Sequence, residues 1–302
     1  MKDEPSNRNF NSSDPLKSAD VDSILDSFRY FKGRRYHNLA DVTYLLPNDD
    51  KEVERLNLQH NIFKFVWKNN FSSPVHELLK SGKAKILDVG CGTGYWLLDM
   101  AKEYPQALFV GIDMSPIFPD IKDVPTNVFF LQLNLNDGIP FPNETFDFVI
   151  QRCLCNCVVY EKWEFYVKEM IRVAKHGGWL EFFEFSIDHN DQQLMKSVSS
   201  GFKAKGINSR PETCVPQFLE KCQELSKVHY ENNYIPIGDR AGQLGAMMTT
   251  YISMNVETVK LLLTSAWELD DDEYDSRFEE AKLEFNTSKN YAQSFRWFSR
   301  KI

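Results

Sequence analysis

The chain has no apolar run approaching the roughly 18 residues that a membrane-spanning helix needs, so no membrane span is expected. Its first twenty residues, MKDEPSNRNFNSSDPLKSAD, have no apolar stretch of the kind that marks a secretory signal. Without that route, the six cysteines read as free thiols in a reducing compartment, and the expected location is the cytoplasm, with the nucleus as the alternative. Positive charge is short: 35 Lys and Arg against 43 Asp and Glu leave a net charge of −8. That balance argues against a dedicated nucleic-acid binder, whose face must neutralise phosphates. No Gly/Ser-rich or Pro-rich linker and no internal repeat divides the chain, so one folded domain is expected over 20–302. Residues 1–19, rich in Ser, Asn, Asp and Pro, are expected to be a disordered tail.

The remainder has the means to build a core, with 42% hydrophobic and 14% aromatic residues in 302. DVDSILDSFRYF (20–31) reads as a short amphipathic helix and KGRRYHN as the loop after it. Pro47 and Asn48 then signal a helix start. Asp49, Asp50 and Glu52 suit its positive end, and Val53, Leu56, His60, Phe63 and Trp67 fall on one face.

From residue 84 strands and helices alternate. AKILDVG, ALFVGID, NVFFLQLN, TFDFVIQ and WLEFFEFS are strands; GYWLLDMAKEY and EKWEFYVKEMIRVAKHGG are helices, the second stopped by Gly177. Such alternation predicts right-handed crossovers and an α/β, mostly parallel sheet covered on both faces. Further on, helices are expected near 191–205, 215–225 and 240–266, with a strand in KVHYENNYIPI between the last two. An acidic helix in DDDEYDSRFEEAKLEF and a closing strand in YAQSFRWFSRKI complete the pattern, the acidic run reading as a solvated helix face.

The chemistry concentrates in Asp88-Val89-Gly90-Cys91-Gly92-Thr93-Gly94, between the first of the alternating strands and its helix. Glycines there let the backbone approach a ligand at the carboxyl edge of the sheet. Dinucleotide sites space them G-x-G-x-x-G, and here the third glycine comes one residue early. Asp88, two positions before the first glycine, would repel a pyrophosphate and attract an amino group. Asp113, at the end of the second strand, is placed to accept the hydroxyls of a ribose. A ligand with a ribose and an amino-acid-like cation but no phosphate describes S-adenosylmethionine, the cofactor expected here.

ILDVGCGTGYW, GIDMSP, GIPFPNETFDFV and MIRVAKHGGWLEFFE resemble successive motifs of the class I S-adenosylmethionine-dependent methyltransferases. YLLPNDDKEVERLNLQH and IPIGDRAGQLG are similar to features of a fungal group related to the LaeA-like regulators and the trans-aconitate methyltransferase type. The resemblance implies a Rossmann-like, doubly wound, mostly parallel seven-stranded sheet. An N-terminal helical cap (20–82) would precede the cofactor core (83–186), and a helical insertion would come before the last strand, within a substrate-side part (187–302).

The resemblance also implies roles. Gly90, Cys91, Gly92 and Asp88 would line the methionine part of the cofactor, and Asp113 the ribose. Met114 would pack on the adenine, Asn134 and Leu135, with Asn136 as the neighbouring register, would reach its edge, and Gln151 would lie under the sulfonium. Tyr44, Arg55 and His60 in the N-terminal block, with Arg152 and Tyr160 after the fourth strand, are the candidate lid and acceptor-side residues. Arg55 reads equally as a carboxylate binder or as the i,i+3 partner of Glu52; His60 reads first as a hydrogen-bonded core histidine.

QRCLCNCVVY puts Cys153, Cys155 and Cys157 within five residues. Zinc sites favour C-x₂₋₄-C with four ligands, and a thiolate nucleophile needs an activating neighbour, so the thiols read as pocket wall and no metal is expected. The fourth strand lacks the Asn/Asp-Pro-Pro-aromatic turn of adenine and glutamine N-methylating enzymes, and the chain has no Pro-Cys dipeptide of the cytosine-C5 type. A small-molecule acceptor is therefore expected, with protein partners left open and no catalytic base assigned. The alternative is a cofactor-binding regulatory protein of the same fold.

Overall fold

The computed structural model describes residues 28–38, 46–187, 193–267, 270–287 and 290–302. Two strands, β1 (Phe28–Phe31) and β2 (Arg34–His37), pair antiparallel through Lys32-Gly33, where both residues have positive φ, 48° and 75°. Two left-handed residues make the turn whose twist matches paired strands, so this stretch forms a hairpin. The helix expected over 20–31 is corrected in its last four residues, and the loop expected at 32–38 carries the second strand. Residues 20–27 of that helix, the 1–19 tail and Tyr44 lie outside the described residues.

The hairpin is tied to α1 (Asp50–Trp67) at its first turn. Asp49 caps the helix by accepting from the Glu52 N–H, and it receives Arg34 Nε and Nη2 at 2.6 and 3.0 Å. His60, Phe63 and Trp67 are buried as the helical spacing predicts, and so are the polar Glu52, Arg55 and Gln59 on the neighbouring stripe. The described segment before the alternating strands thus combines a hairpin with α1 and the short α2 (His76–Lys80).

The alternating region follows in order: β3 (Lys85–Val89), α3 (Tyr95–Glu103), β4 (Leu108–Asp113), β5 (Val128–Gln132), β6 (Phe146–Arg152), α4 (Trp163–Val173) and β7 (Ala174–Ser186). After it come α5 (Gln193–Ala204), α6 (Pro211–Leu219), β8 (His229–Ile237), α7 (Gly242–Trp267), α8 (Asp271–Thr287) and β9 (Asn290–Arg300). The seven strands run in the order β5-β4-β3-β6-β7-β9-β8. β3 to β7 are parallel to one another, and β9 lies antiparallel between β7 and β8. This is the α/β, Rossmann-like, mostly parallel seven-stranded sheet, with α7 and α8 as the helical insertion before the last strand.

Two boundaries moved for identifiable reasons. α4 ends at Val173, short of the Gly177 stop, because Ala174 is already paired with Phe146 of β6; Gly177, at φ 78°, is an irregularity within β7. α6 starts at Pro211 and ends at Leu219, earlier than the 215–225 expected, since proline with its fixed φ suits the first turn of a helix.

Chain order reverses at β3: β4 and β5 extend the sheet one way, then the chain crosses to β6 on the other side. Ligands bind outside the carboxyl ends of the strands at such a switch point. Val89 and Gln151 stand side by side there, the last residue of β3 beside the sixth of β6.

Candidate active site

The turn leaving β3 is shaped for close approach. Gly90 N–H and Cys91 N–H donate to the Ile112 carbonyl at 2.8 and 3.0 Å, folding the loop over the end of β4. Gly90 has φ 71°, and a Cβ built there would lie 2.7 Å from Leu154 Cδ1; one on Gly94, also at φ 71°, would lie 2.4 Å from the Phe130 ring. Neither position has room for a side chain.

Gly92 N–H donates to Asp113 Oδ2 at 2.8 Å and Ser115 N–H to Oδ1 at 2.7 Å, so the Asp113 carboxylate braces the loop. Burial raises its pKa, partly offset by those N–H groups. Ser115 in turn meets His37 Nε2 at 2.8 Å, and Thr93 Oγ1 donates to Asn57 Oδ1 of α1 at 3.1 Å, so β2 and α1 are fastened to the loop. Asp88 is fully buried and neither carboxylate oxygen has a hydrogen-bond partner. Burial lifts its pKa to about 7, with Arg152 pulling it back.

Two cavities meet at this loop, sharing Gly90, Asp113, Leu154 and Cys157 as lining. The smaller, with about 550 Å³ of free space, adds Met114, Leu133, Asn134, Leu135, Asn136 and Tyr166. Asn134 Oδ1 accepts the Asn136 N–H at 3.0 Å, and the Asn136 side-chain oxygen accepts from Tyr166 OH at 2.8 Å. The larger, about 1440 Å³ and partly open to solvent, runs beneath α1, α5 and α7. Arg55, His60 and Arg152 line it, while Gln151, fully buried, stands behind the lining with its amide against Glu184.

The candidate lid residues separate clearly. Arg55 forms the two-pronged pair with Glu52, at 2.8 and 2.6 Å, and also donates to Tyr251 OH and Asn255 Oδ1 of α7 at 3.2 and 3.1 Å. His60 Nε2 donates to Asp99 at 2.8 Å, and Nδ1 faces Arg152 Nη1 at 3.5 Å. Burial and Arg152 push its pKa down to about 4 despite Asp99, so the ring is neutral. The Arg152 guanidinium lies over the Trp96 ring, 5.7 Å from its centroid. Tyr160 is apart: it lines neither cavity, is 39% exposed, and points its hydroxyl at Gln217, 3.2 Å away.

Cys153 and Cys157 line the cavity, and burial raises both thiols well above their ordinary range. Cys153 has φ 57°, unusual for a residue with a side chain, and its N–H reaches the Phe183 carbonyl at 2.7 Å. Cys155 points away, its Sγ donating to the Asn208 carbonyl at 2.9 Å. Among the described residues no cluster of three or more His, Cys, Asp or Glu is set to hold a metal ion.

Sequence reasoning missed Glu184 of β7, which lines the larger cavity. Its signal was an acid near the end of an apolar strand, but Glu181 gives the same signal. Glu181 instead accepts from Ser72 and Ser73 N–H and Ser73 Oγ, at 2.7 to 3.0 Å, and lines neither cavity.

A methyltransferase domain profile matches residues 86–178, the stretch from β3 into β7. The chain is 32% identical over 209 residues to methyltransferase str3 of Strobilurus tenacellus, covering 66% of this chain and 72% of that protein. The chain belongs to the class I S-adenosylmethionine-dependent methyltransferases. The methyltransferase is also 29% identical over 157 residues to the secondary metabolism regulator laeA of Monascus pilosus, covering 52% of this chain but only 41% of that one. Its fold is that of Haemonchus contortus phosphoethanolamine N-methyltransferase 2, solved with S-adenosyl-L-methionine, at TM-score 0.52 and 14% identity over 94% of this chain and 73% of that one.

S-adenosylmethionine is the cofactor of this enzyme. The residues present fit it: a side-chain-free loop at Gly90, a carboxylate at the end of β4, and Asp88, which lies just behind the lining of both cavities with its two carboxyl oxygens unpartnered and would be satisfied by a cation at the loop. Among the described residues no helix is long and apolar enough to cross a membrane.

Proposed function

We propose that this methyltransferase acts on a small-molecule acceptor held in the larger cavity, with its cofactor lying from the smaller cavity across the glycine loop. The observation that carries this reading is the shared lining. Gly90, Asp113, Leu154 and Cys157 face both cavities, so a molecule that fills the smaller one and passes the loop delivers its far end to the larger.

In this reading Asp113 takes the ribose hydroxyls, Met114 and Leu135 hold the adenine faces, and Asn134 and Asn136 meet its edge. Gly90, Cys91 and Gly92 let the backbone reach the methionine part. Asp88 answers the ammonium and Arg152 the carboxylate, with His60 and Asp99 fixing Arg152 in place. Gln151 supports the floor below the sulfur.

Bound there, the cofactor supplies a methyl group on a sulfonium, which already carries its leaving group. What remains for the protein is to hold the acceptor at attack distance and exclude water. Arg55, engaged with Glu52, Tyr251 and Asn255, does this structurally by clamping α1 to α7 over the cavity. Cys153 and Cys157, kept as neutral thiols, form wall. The chain then divides by role, with residues 20–82 as cap, 83–186 as cofactor core and 187–302 as acceptor side. It works in the cytoplasm or the nucleus, without nucleic acid; its acidic balance and six free cysteines support that placement.

The test is turnover with methyl-labelled S-adenosylmethionine on small-molecule and protein fractions of a cell extract. Label entering the small-molecule fraction is the expected result. Cofactor binding with no labelled product, or label on protein alone, overturns it. Cofactor binding with no labelled product favours a second reading, a cofactor-binding regulator acting through protein partners, which the similarity to laeA supports.

A further inference from the structure

The larger cavity extends past the glycine loop: beyond the lining it shares with the smaller one, it is bounded by residues of α1, β7, α5 and α7, which leaves a space for a second molecule beside the first. The walls of that space are apolar and come from four elements: Phe63 of α1, Phe185 of β7, Phe202 of α5, and Tyr251, Val256 and Val259 of α7. These side chains are buried and belong to one hydrophobic cluster, so the pocket is an extension of the core.

One acid interrupts that surface. Glu184 is 1% exposed and lines the cavity two residues before the end of β7. Its Oε1 accepts the N–H groups of Leu154 and Cys155 at 2.9 and 3.0 Å, which fixes the carboxyl in place. The other ionisable groups on the lining are accounted for. Arg55 is paired with Glu52, His60 is neutral against Asp99, Asp113 accepts from Gly92 and Ser115, and Arg152 faces Asp88. Among the described residues no ion pair forms on Glu184, although a buried carboxylate is costly without a strong donor.

We infer that Glu184 contacts the methyl acceptor, which is a neutral, largely apolar molecule presenting a hydroxyl or N–H to the Glu184 carboxyl, and that an acceptor which is itself a carboxylate loses its hold once Glu184 is ionised. This rests on the methyl-transfer reading above. In the transfer, the acceptor oxygen or nitrogen forms its bond to the methyl carbon as the carbon–sulfur bond breaks. The sulfur keeps that electron pair and becomes a neutral thioether. The acceptor's proton passes to Glu184 and leaves to water with the product.

Burial lifts the Glu184 carboxyl to about 8, outweighing the Gln151 amide and the backbone N–H groups, so its proton-accepting form grows with pH through that value. The groups facing it do not titrate there. The thiols of Cys153, Cys155 and Cys157 are raised far above, Tyr251 is raised to about 12, and His60 is lowered to about 4. Asp88, at about 7 in the free protein, is the exception, so the experiment is run with S-adenosylhomocysteine bound, whose ammonium holds Asp88 ionised.

The probes are 2-naphthalenemethanol and 2-naphthoate, titrated by calorimetry into the full chain saturated with S-adenosylhomocysteine. Naphthoate binding is expected to weaken tenfold or more between about pH 6 and pH 9 as Glu184 ionises, while the alcohol does not weaken. Glu184→Gln, whose amide oxygen still accepts the two N–H groups, should abolish the pH dependence for naphthoate and leave S-adenosylhomocysteine affinity intact. A naphthoate affinity that ignores pH, a pH dependence that survives in the variant, or failure of both probes to bind overturns the inference. If the variant does not fold, the wild-type titrations decide alone. Failure to bind S-adenosylhomocysteine, seen before any probe is added, overturns the cofactor reading instead.

Discussion

Asp88 sets stability against binding at a single residue. Its carboxyl is lifted by burial from 3.8 to about 7, so between those values the folded protein holds a proton that the unfolded chain has released. Stability of the cofactor-free protein is therefore greatest below about pH 4 as far as this group is concerned, and it falls as pH rises toward 7. Glu184 acts in the same direction between 4.5 and about 8. Asp88→Asn removes one of these penalties, which is on the order of a few kcal/mol. The variant without ligand is expected to melt higher than wild type at pH 8, yet to bind S-adenosylhomocysteine at least tenfold more weakly. Thermal scans paired with calorimetry check both halves, and a variant that binds normally contradicts the role proposed for Asp88.

At the scale of elements, the junctions carry the predictions. Asp49 serves α1 as cap and the hairpin as anchor for Arg34, so Asp49→Ala should cost about 1–2 kcal/mol and lower the melting temperature by a few degrees. Cofactor affinity should change less than twofold, because the partners of Asp49, which are Arg34, Arg35 and Glu52, are not among the residues proposed to hold the cofactor. Gly94→Ala is a harsher test. It adds a Cβ at φ 71° and 2.4 Å from the Phe130 ring, so destabilisation of about 2 kcal/mol or more is expected in chemical denaturation. Phe130→Leu in the same chain should recover part of it.

What the sequence made legible follows the same division. Strands β3, β4, β6 and β7 were readable because burial on both faces leaves a local apolar run for each, and the edge strand β5 because its run VFFLQ is apolar although Phe129 and Leu131 are exposed. Asp88, Gly90, Gly92 and Asp113 could be proposed from sequence because one strand, its turn and the next strand hold them all. The β1–β2 hairpin was not: Phe28–Phe31 also fits a helical face, and only the Lys32-Gly33 turn betrays it. Glu184 was not, since Glu181 looks the same in sequence and only the folded strand separates their surroundings.

For the whole molecule, the cofactor should act as a brace, since its proposed contacts draw on β3, β4 and β6 together. S-adenosylhomocysteine at 100 times its Kd should add about 2.7 kcal/mol to the unfolding free energy, visible as a higher melting temperature, and NAD should add nothing. A rise with NAD and none with S-adenosylhomocysteine contradicts the cofactor assignment. The proposed acceptor half of the site was out of reach of sequence spacing altogether. Its walls come from α1, β7, α5 and α7, and no motif connects pieces so far apart.

That distance has a kinetic side. Arg55 of α1 meets Tyr251 and Asn255 of α7 across 196 and 200 residues of chain, whereas β3 and β4 are neighbours in sequence as well as in the sheet. Long-range closures form late, because chain entropy must be lost before such contacts return anything. In refolding, the strand core should therefore assemble first and the clamp over the cavity last. Ligand binding should recover more slowly than β-sheet circular dichroism, and the last step of folding becomes the one that makes an assembled sheet into an enzyme.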